Sequence, residues 1–255
     1  MFNILIISFF LLLLLIGGDR GVISAITIVG NIAVFIFAVL LMSQGLSPII
    51  ITFLSSIVIA LITIFYQNGK SEKTIAAFIS VVIVILILFF IIYIFGESSV
   101  SGGLNEIEKY SDELFYYSTD ININMRSVAH SVVVFGLLGA IIDLAIAISS
   151  SISEVFSHKP SLSVSELTFS GMKIGKDILG STINTLIFAF VGESLMLFVF
   201  YQNYAYSFSD IINSKSFFQE FECILFSCIG CVMIVPLTAL IASNMIKKRI
   251  TELKQ

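Results

Sequence analysis

Seven apolar runs separated by short polar breaks fill most of the chain between Phe2 and Ile246. They cover Phe2–Ile16, Val22–Leu41, Ser47–Tyr66, Thr74–Phe95, Val128–Ser149, Asp177–Tyr201 and Phe218–Ile246. A hydrocarbon core about 30 Å thick is crossed by a helix of about 20 apolar residues, the length most of these runs reach. Inside lipid each backbone amide must bond within its own segment, so such runs fold as helices. The expected fold class is all-α: a polytopic integral membrane helical bundle of about seven transmembrane helices, forming a single membrane domain over residues 1–255. The first run is the shortest, since about 16 residues reach only about 24 Å. It lacks the basic start of a signal peptide, and Gly17-Gly18-Asp19-Arg20 is a poor cleavage site followed at once by another run. It is read as a helix.

Composition agrees. Hydrophobic residues make up 58% of the 255 and charged residues 12%, against about 25% charged in soluble domains. Mean hydropathy is +1.07. The net charge of -4 and the lack of a basic patch exclude a nucleic-acid partner. The partner that composition demands is the lipid bilayer.

Orientation follows from the loops, because cytoplasmic loops hold the excess of Lys and Arg. With seven spans, one set of ends holds Arg20, Lys70, Lys73, Lys159, Lys173, Lys176, Lys247, Lys248, Arg249 and Lys254, and the other holds Lys109, Arg126 and Lys215. Ten against three predicts an N-terminus outside and a cytoplasmic C-terminus. Six or eight spans would mix the two sets.

Two hydrophilic stretches interrupt the spans. The external loop 96–127 carries Glu97, Glu106, Glu108, Asp112, Glu113 and Asp120. Within it Leu104, Ile107, Tyr110, Leu114 and Tyr117 recur at helical steps, which predicts an interfacial helix. The alternative is an acidic vestibule that concentrates cations. The cytoplasmic amphipathic segment 150–176 contains Ser163 and, three residues on, Glu166. That spacing is a capping box and predicts a helix start. Gly171, Gly175 and Gly180 then allow close packing or a bent entry to the sixth span.

The residue that most constrains function is Asp143, inside the run VAHSVVVFGLLGAIIDLAIAI (Val128–Ile148). A carboxylate near the centre of a membrane helix costs about 2.5–3.5 kcal/mol on insertion scales, so it faces a cavity or a partner. Asn184 and Thr185 in the sixth span, Asn31 in the second and Thr238 in the seventh are expected at a similar depth. Thr238 follows Pro236, which frees a carbonyl one turn back. Asp177 and Lys173, at the mouth of the sixth span, complete the candidate polar site. Interhelical hydrogen bonding that glues a bundle uses the same residue types. It is the ionisable group that points to a functional site.

Other motifs fall away. Gly171–Asp177 is one residue short of a phosphate loop and follows no strand. Cys228 and Cys231 form a CxxC in an apolar run with no nearby His, which reads as small apolar filler. Neither His130 nor His158 has ligand spacing around it. No nucleophile–base pair or metal set appears, so no enzyme, metal or cofactor is expected.

From Asn68 onward the chain resembles the YibE/F family of bacterial multi-pass membrane proteins. The resemblance rests on NGKSEKTIAAF (Asn68–Phe78), MRSVAHSVVVFGLLGAIIDLAIAISSSISEV (Met125–Val155), SGMKIGKDILGSTINTLIFAFVGESL (Ser170–Leu195) and IGCVMIVPLTALIA (Ile229–Ala242). Family members carry the matching Asp143, Ser170, Gly171, Met172, Gly175, Asp177, Gly180, Asn184 and Thr185. Glu193 stands where the family has Gly, and Met196 where it has Pro. The resemblance implies a short member of a bacterial inner-membrane family and, as a partner, a longer relative. No established activity comes with it. Two functions stay open: a permease or transport component for an ion or small polar solute, with its site around Asp143, and a non-transporting partner or assembly subunit.

Overall fold

In the computed structural model, which describes residues 1–96 and 124–253, every long element is a helix. In chain order they are α1 (Phe2–Ser43), α2 (Pro48–Leu61) continued by a π-helical segment (Ile62–Tyr66), α3 (Glu72–Gly96), α4 (Met125–His158), α5 (Val164–Asn203), the short α6 (Phe208–Asn213) and α7 (Lys215–Leu253). Six of them are long and apolar enough to cross a membrane. The protein is a polytopic helical membrane bundle. The helix expected within loop 96–127 lies outside the described residues.

The first two expected spans belong to α1. Gly18 breaks that helix with φ 53° and ψ -135°, a conformation that favours glycine. Phe10 lines the same recess as Ala25, Ile26 and Val29. In a straight helix Phe10 and Ile26 would stand about 24 Å apart, so the chain folds back at Gly18 and the two arms lie side by side. Gly21 makes the reversal possible, because a Cβ there would collide with the Leu13 carbonyl oxygen. Cysteines at positions 10 and 26 are therefore expected to be joined by a short bis-maleimide. A Gly21→Ala substitution should abolish that cross-link, and cross-linking that survives it would count against the tight turn.

The centre of the bundle is built from α3, α4 and α7. Leu88, Ile141 and Leu137 converge on Gly230, where an added Cβ would meet Leu88 at 3.1 Å and Ile141 at 3.3 Å. The most apolar stretch of α4 is 56% buried and that of α7 50%, against 17% for α1 and 11% for α5. The outer two therefore present large apolar side chains such as Leu15 and Phe188 outward, as a lipid-facing surface does.

Glycine sets how α5 attaches. A Cβ on Gly171 would lie 2.5 Å from Ile152 and 3.2 Å from Ala239, and one on Gly175 would lie 2.6 Å from Val235 and 3.1 Å from Ile148. As the number rises on α5 it falls on α4 and α7, so α5 runs antiparallel to both. This close approach is what Gly171-Met-Lys-Ile-Gly achieves.

The capping box forms as expected, with the Ser163 hydroxyl accepting from the Glu166 amide and the Glu166 carboxylate accepting from Ser163. No separate amphipathic helix follows it. The segment 150–176 is instead the end of α4, a turn at 159–163 and the start of α5, continuous through Asp177. Lys247 Nζ donates to the Leu162 carbonyl at 2.7 Å and the Pro160 carbonyl at 3.3 Å, and lies 5.6 Å from the Phe156 ring centre. Lys73, Ser153, Ser157 and Pro160 line one recess beside Ile246. These contacts gather α3's start, α4's end and α7's C-terminal part at one lysine-rich end of the bundle.

At the opposite end of α5, Tyr201 and Ser214 share a hydroxyl–hydroxyl hydrogen bond across the turn into α7. Ser207 caps α6, and its hydroxyl and amide bonds to Asp210 hold that exposed carboxyl below the usual range.

Candidate functional site

Asp143 lies ten residues, or about 15 Å along α4, from Ser153 at the lysine-rich end. That is half the thickness of a hydrocarbon core. Helix α4 continues to His158 rather than ending near Ser149, so the carboxylate is farther from the helix end than the sequence spacing indicates.

Asp143 lines a groove of about 310 Å³ with Asn31, Phe35, Ile59, Thr63, Phe135 and Gly139 among its walls. The second arm of α1, the end of α2 and α4 supply those walls. Phe35 and Phe135 close one end edge to face, with ring centres 5.2 Å apart. Gly139 sits one turn before Asp143 and has no atom within 4 Å of where a Cβ would stand, which keeps the groove open there. Asn31 donates from Nδ2 to Thr63 Oγ1 at 2.9 Å. Its other amide atom, Oδ1, is buried and accepts nothing. Thr63 falls in the π-helical segment, whose wider turn re-aims side chains and is frequent at functional sites. Among the described residues Asp143 has no hydrogen-bond or ion-pair partner, and none lining the groove is basic.

Of the residues expected at one depth, two thus meet: Asp143 and Asn31. The others do not join them. Thr238 is fully buried in the core beside Ala239, with an unpartnered hydroxyl, and does not line the groove. Asn184 and Thr185 are exposed on α5, and Thr185 bonds only back to the Ser181 carbonyl at 3.0 Å. The reason is angular. Asn184 follows Gly175 by nine residues, which at about 100° per residue turns it half a circle away from the packing face. Lys173 and Asp177 fall near the same outward direction, and both are exposed. The single polar site expected around Asp143 and Asn184 is therefore replaced by a groove on one side of α4 and a polar stripe on the far side of α5.

Two groups escaped the sequence reading. Thr63 looked like one more threonine in an apolar run, and only the packing of α1 on α2 singles it out. The other is acidic: Glu193 on α5 acts electrostatically on Glu220 and on Cys223 of α7, and Glu222 beside them is buried. Among the described residues, no group of three or more His, Cys, Asp or Glu could hold a metal ion. The three cysteines are unpaired, with Cys231 fully buried in the core.

Apolar helices of spanning length packed through small-residue contacts, with a groove lined by Asp143, Asn31 and Thr63 among them, define a multi-pass membrane protein. The chain belongs to a particular family of these: a family model described as YibE/F-like protein matches residues 5–248. No curated protein and no solved structure matches the chain.

Proposed function

We propose that the protein is a non-enzymatic permease or transport component of the bacterial cytoplasmic membrane. In this reading the solute is an ion or small polar molecule that passes through the Asp143 groove. The observation that carries it is the meeting of Asp143, Asn31 and Thr63 in one groove about 15 Å from the lysine-rich end. Polar groups that share a groove between membrane helices mark solute or ion pathways in membrane proteins. The lysine excess supports a cytoplasmic position for that end and an N-terminus outside. The test is reconstitution: proteoliposomes assayed against a panel of ions, amino acids and sugars should show protein-dependent flux of at least one. A panel on which they match empty liposomes would contradict the reading.

A second reading rests on a separate observation. Lys173, Asp177, Gly180 and Asn184 form an exposed stripe on α5, and part of it lies at the depth of Asp143. Polar side chains facing hydrocarbon are costly, whereas a neighbouring helix would satisfy them. The partner this favours is a longer YibE/F-type membrane protein docked on α5, not on the Gly171 and Gly175 face, which is used internally. An Asn184→Leu variant should then lose co-purification with that partner while keeping its own fold. Undiminished co-purification would remove the stripe from the interface.

A further inference from the structure

The polar inventory of the groove fixes the charge of what fits it. Asp143 contributes two carboxylate oxygens and a full negative charge. Asn31 contributes Oδ1, which is buried and accepts nothing among the described residues, while its amide nitrogen donates to Thr63. Thr63 keeps a second lone pair and a hydroxyl hydrogen. Acceptors outnumber donors, and the carboxylate has no cation among the described residues. A neutral hydrogen-bonding solute would leave that charge uncompensated in a low-dielectric setting, and an anion would repel it.

Valence follows from the same count. Among the described residues, the groove walls hold a single ionisable one. Calcium takes six to eight oxygen ligands and draws on several carboxylates, and a divalent ion here would leave an uncompensated positive charge. One charge of each sign balances. The remaining walls, Phe35, Ile59, Phe135, Leu138 and Ile142, are apolar and supply no further ligands. Water completes the shell in a space of about 310 Å³.

We propose that this groove is a binding site for a small monovalent cation, coordinated by the Asp143 carboxylate and the Asn31 carbonyl oxygen with Thr63 holding the Asn31 amide in place. The proposal rests on the transport reading only in the choice of groove, and the binding it predicts is measurable without transport. Sodium, potassium and ammonium share the chemistry, and the experiment separates them.

The full chain, purified into lipid nanodiscs at pH 7.5, is melted in increasing NaCl, KCl, NH4Cl or CaCl2. N-methylglucamine chloride serves as a bulky control at matched ionic strength. At about one hundred times Kd, linkage predicts a rise in melting temperature of about 5–10 °C for at least one small monovalent ion, growing with the logarithm of ion concentration above Kd. N-methylglucamine should give none, and calcium no more than its ionic strength explains. Asp143→Asn should flatten the ion-specific response, and Thr63→Val should shift its onset to higher concentration. The inference is overturned if the wild type shows no ion-specific response to any of the three ions beyond the N-methylglucamine control, a result that needs no variant to fold. It is equally overturned if calcium or N-methylglucamine acts as strongly, or if the response survives in Asp143→Asn. Binding with no flux of the bound ion would remove the transport reading and leave the cation site standing. Flux of an uncharged solute with no cation response would do the reverse.

Discussion

Replacing Gly175 by leucine is expected to lower the yield of folded protein several-fold. A Cβ alone at this position would approach Val235 Cγ1 to 2.6 Å and Ile148 Cδ1 to 3.1 Å. A branched valine methyl close to the backbone cannot swing away as a long side chain can. Leucine adds three carbons beyond that collision, at the seam where α5 meets both α4 and α7. Overpacking a tight core commonly costs about 1–3 kcal/mol and sometimes more. Forcing α5 off its seat also opens the contacts at Gly171, so the upper end applies. With total stability on the order of 5–15 kcal/mol, such a loss takes a large share of the margin, enough to lower the amount of folded protein several-fold. The measurement is the yield of monodisperse protein by fluorescence-detected size exclusion. Gly192→Leu is the control, since nothing lies within 4 Å of its Cβ position. Equal yields from the two variants would show that α5 is not seated through Gly175.

Asp143→Asn is expected to act the other way, sparing the fold and abolishing function. Asparagine has nearly the same shape, and the residue is exposed and, among the described residues, bonded to no other side chain, so nothing in the packing is lost. What disappears is the single negative charge of the groove. Ion flux through proteoliposomes should fall at least about tenfold, equivalent to about 1.4 kcal/mol of lost ion stabilisation. Asn31→Leu removes a neutral acceptor and should cost less. A variant with wild-type flux would mean that the carboxylate is not part of the pathway. One that misfolds would mean that the charge has a structural partner.

Much of this architecture is legible in the sequence because lipid leaves few options. Apolar runs of spanning length have to be helices, and the capping box at Ser163 and Glu166 marks the start of α5 without any tertiary information. Depth is legible too: Asp143 opposes a position near Gly180 on α5, and Asn184 is about one turn beyond. Direction around a helix is not. A helix apolar on most of its circumference has no hydrophobic face to orient it, so the side that Asn184 takes is decided by where Gly171 and Gly175 seat α5. The same holds for Thr63, whose meeting with Asn31 depends on the turn at 44–47 that folds α2 back along the second arm of α1, and on a π turn that no local motif announces. The helix expected after Ser163 forms as the first turns of α5 rather than as a separate element, and the end expected near Ser149 is passed for the same reason. Polar residues such as Ser150, Ser151 and Ser153 suggested a break, yet α4 and α5 extend beyond the apolar stretch and pair through Ile152 and Gly171.

The central claim is that Asp143 opens onto a polar, water-accessible groove at mid-depth shared with Asn31, and not onto lipid. The most direct measurement replaces Cys223, Cys228 and Cys231 with alanine and introduces Asp143→Cys. Intact membranes are then treated with a small cationic methanethiosulfonate. The predicted result is modification at position 143, strongly slowed when Asn31→Trp fills the groove. Modification only by a lipid-soluble maleimide, at a rate indifferent to Asn31→Trp, would contradict it.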